Sequence, residues 1–422
     1  MKSSGVEWIG EIPEDWEVKK VKHSFVRKNE KAMQENPIVL SLARSGVKER
    51  DISNNEGQLA ESYYNYNPVD VDDLLINPMD LYSGANCSIS KVKGVISPAY
   101  INLRAKKNVS PVFYDYYFKV QYWMMAFFAH GNGVSFENRW TLNNETLQNY
   151  PIVAPSFETQ QRIASYLDKK CSKIEETIQN QQQVIEKLKA YKQSLITEAV
   201  TGKIKIQNGK VCGKYQSYKE SGVEWIGKIP SEWEVGKFGR FAQVKSNLVD
   251  PNLYLEYPQI APDNIGKGSG KLIDWQTVKD SGVISWNHLF FKGQIVYSKI
   301  RPTLNKLIIA PFDGLCSADM YPIETNIHKQ FFVYMMLSQY FVEQVGLITR
   351  DRVKMPKINQ NELSGILITV PTKEEQKEIS DYLDKKCTAI DTVIEQKQKL
   401  IEKLTEYKKS LIYECVTGKK EI

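Results

Sequence analysis

The side chains in this sequence best suited to chemistry are cations and amides set among turn formers. Four short stretches carry most of them: LARSGVKERD (Leu42–Asp51), FENRW (Phe136–Trp140), SKIRPTLNK (Ser298–Lys306) and GLITRDRVKMPKINQ (Gly346–Gln360). Arg and Lys on loops neutralise phosphates, and Arg, Asn and Gln pair with base edges, so these residue types suit a nucleic acid. The candidates in the first half are Arg44, Lys48, Arg50, Lys91 and Arg139. In the second half they are Asn264, Lys267, Arg301, Lys306, Arg350, Arg352 and Lys354. A solvated surface remains the plainer reading for any one of them. The net charge of +6 over 422 residues agrees with a polyanionic partner without requiring one.

Other chemistries find little support. GKGSGK (Gly266–Lys271) lacks the spacing of a phosphate loop and a clear strand before it, and reads as a flexible loop. NPMD (Asn77–Asp80) lacks the second Pro and the aromatic residue of the N-P-P-[YF] motif that grips a target amine, and reads as a turn. The four histidines, His23, His130, His288 and His328, are scattered without metal spacing. The six cysteines form no C-x-x-C pair, and reduced, mostly buried thiols are expected. No residue is assigned a catalytic role, and no metal site is assigned. There is no apolar leader and no run near the roughly 18 apolar residues of a membrane span, so a cytoplasmic protein is expected.

What positions these loops is a repeated frame. SGVEWIGEIPEDWEV (Ser4–Val18) returns as SGVEWIGKIPSEWEV (Ser221–Val235). A longer echo closes each half: Pro155–Lys203 and Pro371–Lys419 match at more than half their positions without a gap. The repeat unit is therefore about half the chain. Between the matched ends, the bodies at about 19–148 and 236–362 hardly align. Each carries one late apolar-aromatic stretch, Pro111–Gly131 and His328–Gly346, long enough for a buried helix.

The closing segments read as long helices. Ser156 and Thr372 stand as N-caps, and Thr372 with Glu375 makes a capping box. Seam positions recur at alternating spacings of four and three: Leu167, Cys171, Ile174, Ile178, the polar Gln181, Ile185, Leu188, the polar Lys192 and Leu195, then Leu383, Cys387, Ile390, Ile394, the polar Lys397, Ile401, Leu404, the polar Lys408 and Leu411. That heptad seam asks for a coiled-coil partner, and each helix is the other's natural one. Antiparallel pairing would bring the end of the second helix to the first SGVEWIG. The Gly of each VTGK (Gly202, Gly418) is expected to cap its helix. The fold class expected is α+β: two mixed α/β recognition domains separated by paired antiparallel helices, with an internal pseudo-two-fold repeat. The domains fall at 1–154, 155–202 (helix), 203–219 (linker), 220–370 and 371–422 (helix).

The lead GVEWIGEIPEDWEV, the helix start P-x-x-x-E-Q-x-x-I-x-x-Y-L-D-x-K at Pro371–Lys386, and the helix ends SLITEAVTGK and SLIYECVTGK together resemble one family. It is the specificity subunit of type I restriction-modification enzymes. GVISPAY (Gly94–Tyr100) and KIRPTLNK (Lys299–Lys306) are similar to phrases of that family too. The resemblance implies two target-recognition domains that each read one half of a split double-stranded DNA sequence. It implies two modification subunits, which bind S-adenosylmethionine and methylate adenine, and restriction subunits that join for cleavage. The chain itself then holds no cofactor and is not an enzyme. The rival reading is a coiled-coil interaction scaffold without DNA contact.

Overall fold

The computed structural model describes every residue except 44, 54–59, 80, 83–85, 135–139, 225 and 353. The chain divides into two compact units that do not coincide with its sequence halves. Met1–Gln181 joins with Lys399–Ile422, and Gln182–Gln398 forms the other unit. Each unit thus owns one body, part of the helix Phe157–Val200 and part of the helix Lys373–Val416. The fold is mixed α+β, and the two bodies repeat one plan.

In the first unit the strand Glu17–Lys20 pairs antiparallel with Pro151–Ala154, which leads into the first long helix. In the second unit Glu234–Lys237 pairs with Leu367–Val370 in the same way. Inside each frame lies a four-stranded antiparallel sheet. Its order in the first unit is Phe25–Lys28, Ile101–Ala105, Leu74–Ile76, Cys87–Ile89, and in the second Ala242–Val244, Met320–Thr325, Ile295–Ser298, Leu307–Ile309. Bodies that hardly align in sequence therefore share strand order, because buried alternation tolerates many apolar residues at each position. The apolar-aromatic stretches are broken helices rather than single ones: Pro111–Trp123 with Ala126–Ala129, and Lys329–Leu337 with Gln339–Thr349. Met125 breaks the first by adopting a left-handed φ of 58°. Among the described residues no single helix is long and apolar enough to cross a membrane.

Body and long helix are tied by residues that recur in both halves. The buried Gln160 donates to the Pro155 carbonyl at 2.8 Å and accepts from the Ser110 amide at 2.8 Å. Gln376 repeats this with the Pro371 carbonyl and the His328 amide, at 2.9 and 2.8 Å. Ser110 and His328 are the N-caps of the two body helices, so one glutamine fixes a body helix to a long helix. About two turns further on, Tyr116 donates to Asp168 at 2.8 Å and Tyr334 to Asp384 at 2.6 Å. Burial, and then the carboxylate, push both phenols far above their ordinary range, so they remain donors.

The lead segment docks on a helix end inside its own unit. Trp16 and Trp233 are 4% and 0% exposed, each in its unit's main core. Gly418 and Gly202 end their helices at φ of 72° and 70°. A Cβ on Gly418 would lie 2.3 Å from Pro13 Cδ, and one on Gly202 would lie 2.3 Å from Pro230 Cδ. The next residue completes the joint: Lys419 donates to the Ile9 carbonyl at 3.0 Å, and Lys203 to the Ile226 carbonyl at 2.8 Å. Hence the Trp-Gly-Pro phrase and the VTGK phrase are duplicated together, being the two sides of one contact.

Gly418→Ala and Gly202→Ala should each destabilise their unit by about 2 kcal/mol or more, through left-handed strain and overlap with the proline ring. A lowered urea midpoint would register the loss. Gly365→Ala is the control, since its Cβ meets nothing within 4 Å, and it should change stability by less than about 1 kcal/mol.

Candidate nucleic-acid interface

The second body carries a further sheet of five strands, ordered Leu248–Val249, Asn287–Phe290, Gly314–Cys316, Pro258–Ile260, Gln276–Thr277. Pro258–Ile260 runs parallel to Gly314–Cys316 and the other pairs are antiparallel. The register therefore sends the ends of 248–249, 258–260 and 314–316, and the beginnings of 276–277 and 287–290, to one edge. The loops 250–253, 261–275, 282–286 and 317–319 gather there.

Two other segments join that edge. Lys299 N donates to the Asp319 carbonyl at 3.0 Å, and Gly268 N to the Leu304 and Asn305 carbonyls at 3.1 Å each. Arg301, at a left-handed φ of 41°, donates its amide to the Pro356 carbonyl at 2.8 Å. Ile300 bridges to Lys357, whose ammonium reaches Asp319 at 3.0 Å. The loops 261–275, 299–306 and 350–358 thus form one cluster, and all seven candidates of the second half fall within it.

Their side chains divide into two groups. Asn264 is committed internally, accepting from the Ala261 amide at 2.7 Å and donating to Asp274 at 2.8 Å. Lys306 holds the Pro262 carbonyl and Asp263, at 2.8 and 3.0 Å. Arg352 grips Glu362, which itself caps the helix at Asn359; this pair raises the arginine's pKa and lowers the carboxyl's. Arg350 is exposed and loosely paired with Asp351 at 3.7 Å. Lys267, Arg301 and Lys354 are exposed and have no acidic partner among the described residues. His288, at the same edge, has its pKa lowered by burial and by Lys299.

GKGSGK is not the flexible loop its composition suggested. Besides the Gly268 bonds, Lys271 reaches Asp391 on the second long helix at 2.7 Å, and Lys192 of the first long helix takes the other oxygen at 2.7 Å. Burial opposes charge on Asp391, but these two ammonium groups outweigh it and hold its pKa below the ordinary range. Gly270 packs against Leu337 and Val333, and Gly268 supplies a left-handed φ of 56°.

In the first body Lys48 is exposed on the hairpin Leu40–Ala43/Gly46–Glu49, and Lys91 is exposed in the turn after Cys87–Ile89. The half-buried Arg50 donates its amide to the Val39 carbonyl at 2.8 Å. Arg44 and Arg139 lie outside the described residues. Two cations of this body that residue type alone would have admitted, Lys28 and Arg104, are bound to Asp70 and the buried Asp73. Arg104 and Lys28 hold the Asp70 carboxyl down at about 2.

The seam residues are distributed between the units. Leu167, Ile174 and Leu411 are buried in the first unit's core with Ile178 and Leu404 at its margin, and Lys408 meets Glu175 at 2.9 Å. Leu195, Leu383 and Ile390 are buried in the second unit's core, with Leu188 and Ile394 at its margin. Ile185 and Ile401 are buried as well. Among the described residues no cluster of His, Cys, Asp and Glu could hold a metal ion.

Comparison with known proteins places this frame. The model of the type I restriction modification DNA specificity domain matches residues 13–190 and again 230–404. The specificity subunit of the type I restriction enzyme EcoDI from Escherichia coli is 33% identical over 277 residues, 63% of this chain and 62% of that protein's length. The MjaVIII specificity subunit of Methanocaldococcus jannaschii is 26% identical over 82% of this chain and 80% of its own. In fold, the chain matches a solved structure concerned with complex assembly and conformational transition of the type I R-M system. The TM-score is 0.69 at 12% identity, with 97% of this chain and 100% of that one covered. With both halves matched, the chain belongs to the family of type I restriction-modification DNA specificity domains.

Proposed function

We propose that this chain is the sequence-reading subunit of a type I restriction-modification complex, non-catalytic itself. Each body reads one half of a bipartite double-stranded DNA target. The long helices pair as an antiparallel coiled coil, set the unread spacer and dock two modification subunits. Those subunits bind S-adenosylmethionine and methylate adenine, and restriction subunits join them for cleavage in the cytoplasm. The observation that carries the reading is the contrast between frame and loops. The same glutamine, tyrosine–aspartate and glycine–proline contacts recur in both units, while the bodies they hold differ. A two-fold frame suits a duplex read at two half-sites, and unlike bodies let the half-sites differ. The buried seams and the ion pairs Lys192–Asp391 and Lys408–Glu175 support the paired helices. A pure scaffold would account for the helices but would have no use for the exposed Lys267, Arg301 and Lys354, which have no acidic partner among the described residues.

Co-expression with the modification subunit and sequencing of host DNA for methylated adenine tests the reading. A split motif with a fixed gap is expected, and replacing the body 19–148 should change one half of it only. A stable complex that leaves no motif would favour the scaffold. Removing one heptad from each long helix, about 10 Å of rise, should shorten the gap by about three base pairs; an unchanged gap would refute the spacer role. Lys267→Ala, Arg301→Ala and Lys354→Ala should each weaken target binding and reduce the salt slope by about one, whereas Lys306→Ala should not.

A further inference from the structure

Resting on that reading, we infer that the tip Ile284–Trp286 of the second body is an apolar wedge that stacks against bases of the bound duplex, with Trp286 as its blade. Ile284 is 87% exposed and Trp286 60%, in a body whose other large apolar side chains mostly fill two cores. Trp286 has no ring partner among the described residues, whereas Trp275 leans on Phe312 at 5.2 Å. Exposing such surface is unfavourable, so it signals something that covers it.

The tip is held rather than loose. Gly282, left-handed at φ 62°, ends the short helix Val278–Ser281 and turns the chain outward. The buried Asn287 then donates to the Ser285 carbonyl at 2.8 Å and accepts from the buried Gln259 at 3.5 Å. A chain of buried amides thus anchors the tip from below, and little ordering remains to be done when it binds.

Its surroundings identify the occupant. The tip leads into Asn287–Phe290 at the edge where the loops 261–275 and 317–319 gather, and Ile273, 67% exposed, belongs to the first of these. Of the acids of that edge, Asp263 pairs with Lys306 and Asp319 with Lys357, while Asp250 and Asp274 bond only the neutral Asn252 and Asn264. Lys267, Arg301 and Lys354, with no acidic partner among the described residues, and the half-buried Lys299 outnumber those two carboxylates, so the edge stays net positive. An apolar point among unpaired cations matches a base stack bordered by phosphates, where wedge side chains partly unstack a step. It also suits the expected chemistry, since a modification subunit must take its target base out of the stack.

The test uses the full chain in complex with its modification subunit and a duplex carrying the motif found by methylation sequencing. 2-Aminopurine is placed in turn along the half-site read by the second body, at every step except the methylated adenine, which the modification subunit unstacks by itself. The native complex should brighten the probe at one step, and Trp286→Ala should abolish that signal and weaken binding about tenfold or more. The salt slope should stay unchanged, because no phosphate contact is lost. Trp286→Phe should restore most of the affinity. Native affinity and an undiminished probe signal in Trp286→Ala would overturn the inference. So would unchanged DNA binding with loss of the modification subunit, which would make the tip a protein-docking surface. A native complex that binds no duplex would instead bring down the DNA-reading function itself.

Discussion

Each long helix ends on a glycine forced into the left-handed region beneath a proline ring, and the frame of each unit depends on that joint. The close approach lets Trp16 or Trp233 enter the core beside the helix end, and the following lysine closes it from outside. From there the lead runs into the strand that pairs with the segment before a long helix. The glutamine at that helix start then orients the body helix. A chain of short-range constraints thus connects a helix end to the loops, and none of its links uses a residue of the divergent loops themselves.

That separation explains what could be read from sequence. The frame announced itself because its contacts are specific: Gly under Pro, Gln between two backbone groups, Tyr on Asp. Substitution at such points leaves strain or an unpaired polar atom, so the two copies stayed alike. The helices were legible for the same reason, their seams showing as a heptad repeat. The meaning of Gln160 and Gln376 was not legible, since a glutamine repeated in the first turn of a helix does not say which distant amide its side chain reaches.

The bodies hid their plan. The shared order of the four-stranded sheets depends on pairings such as Phe25–Lys28 with Ile101–Ala105, across some seventy residues, which no local pattern encodes. Loop chemistry was half visible. Residue type singled out Lys267, Arg301 and Lys354, which stand exposed, together with Asn264, Lys306 and Arg352, whose polar groups serve the fold. Exposed apolar residues such as Trp286 went unnoticed, because in sequence a tryptophan looks like core. The glycine-rich Gly266–Lys271 looked slack, whereas Gly270 packs against Leu337 and Val333 and Lys271 makes an ion pair with Asp391.

The unequal make-up of the units bears on the order in which they can form during synthesis. The second unit is one continuous stretch, Gln182–Gln398, whereas the first needs Lys399–Ile422, which supplies Leu411, Ile412, Cys415 and Val416 to its core. Ribosomes add about 5–20 residues per second, so the first body would wait roughly 12–47 s for its missing wall. The N-terminal body is thus made first and completed last. Meanwhile the faces of Leu167, Cys171 and Ile174 that await the later helix remain open to water, or to a chaperone.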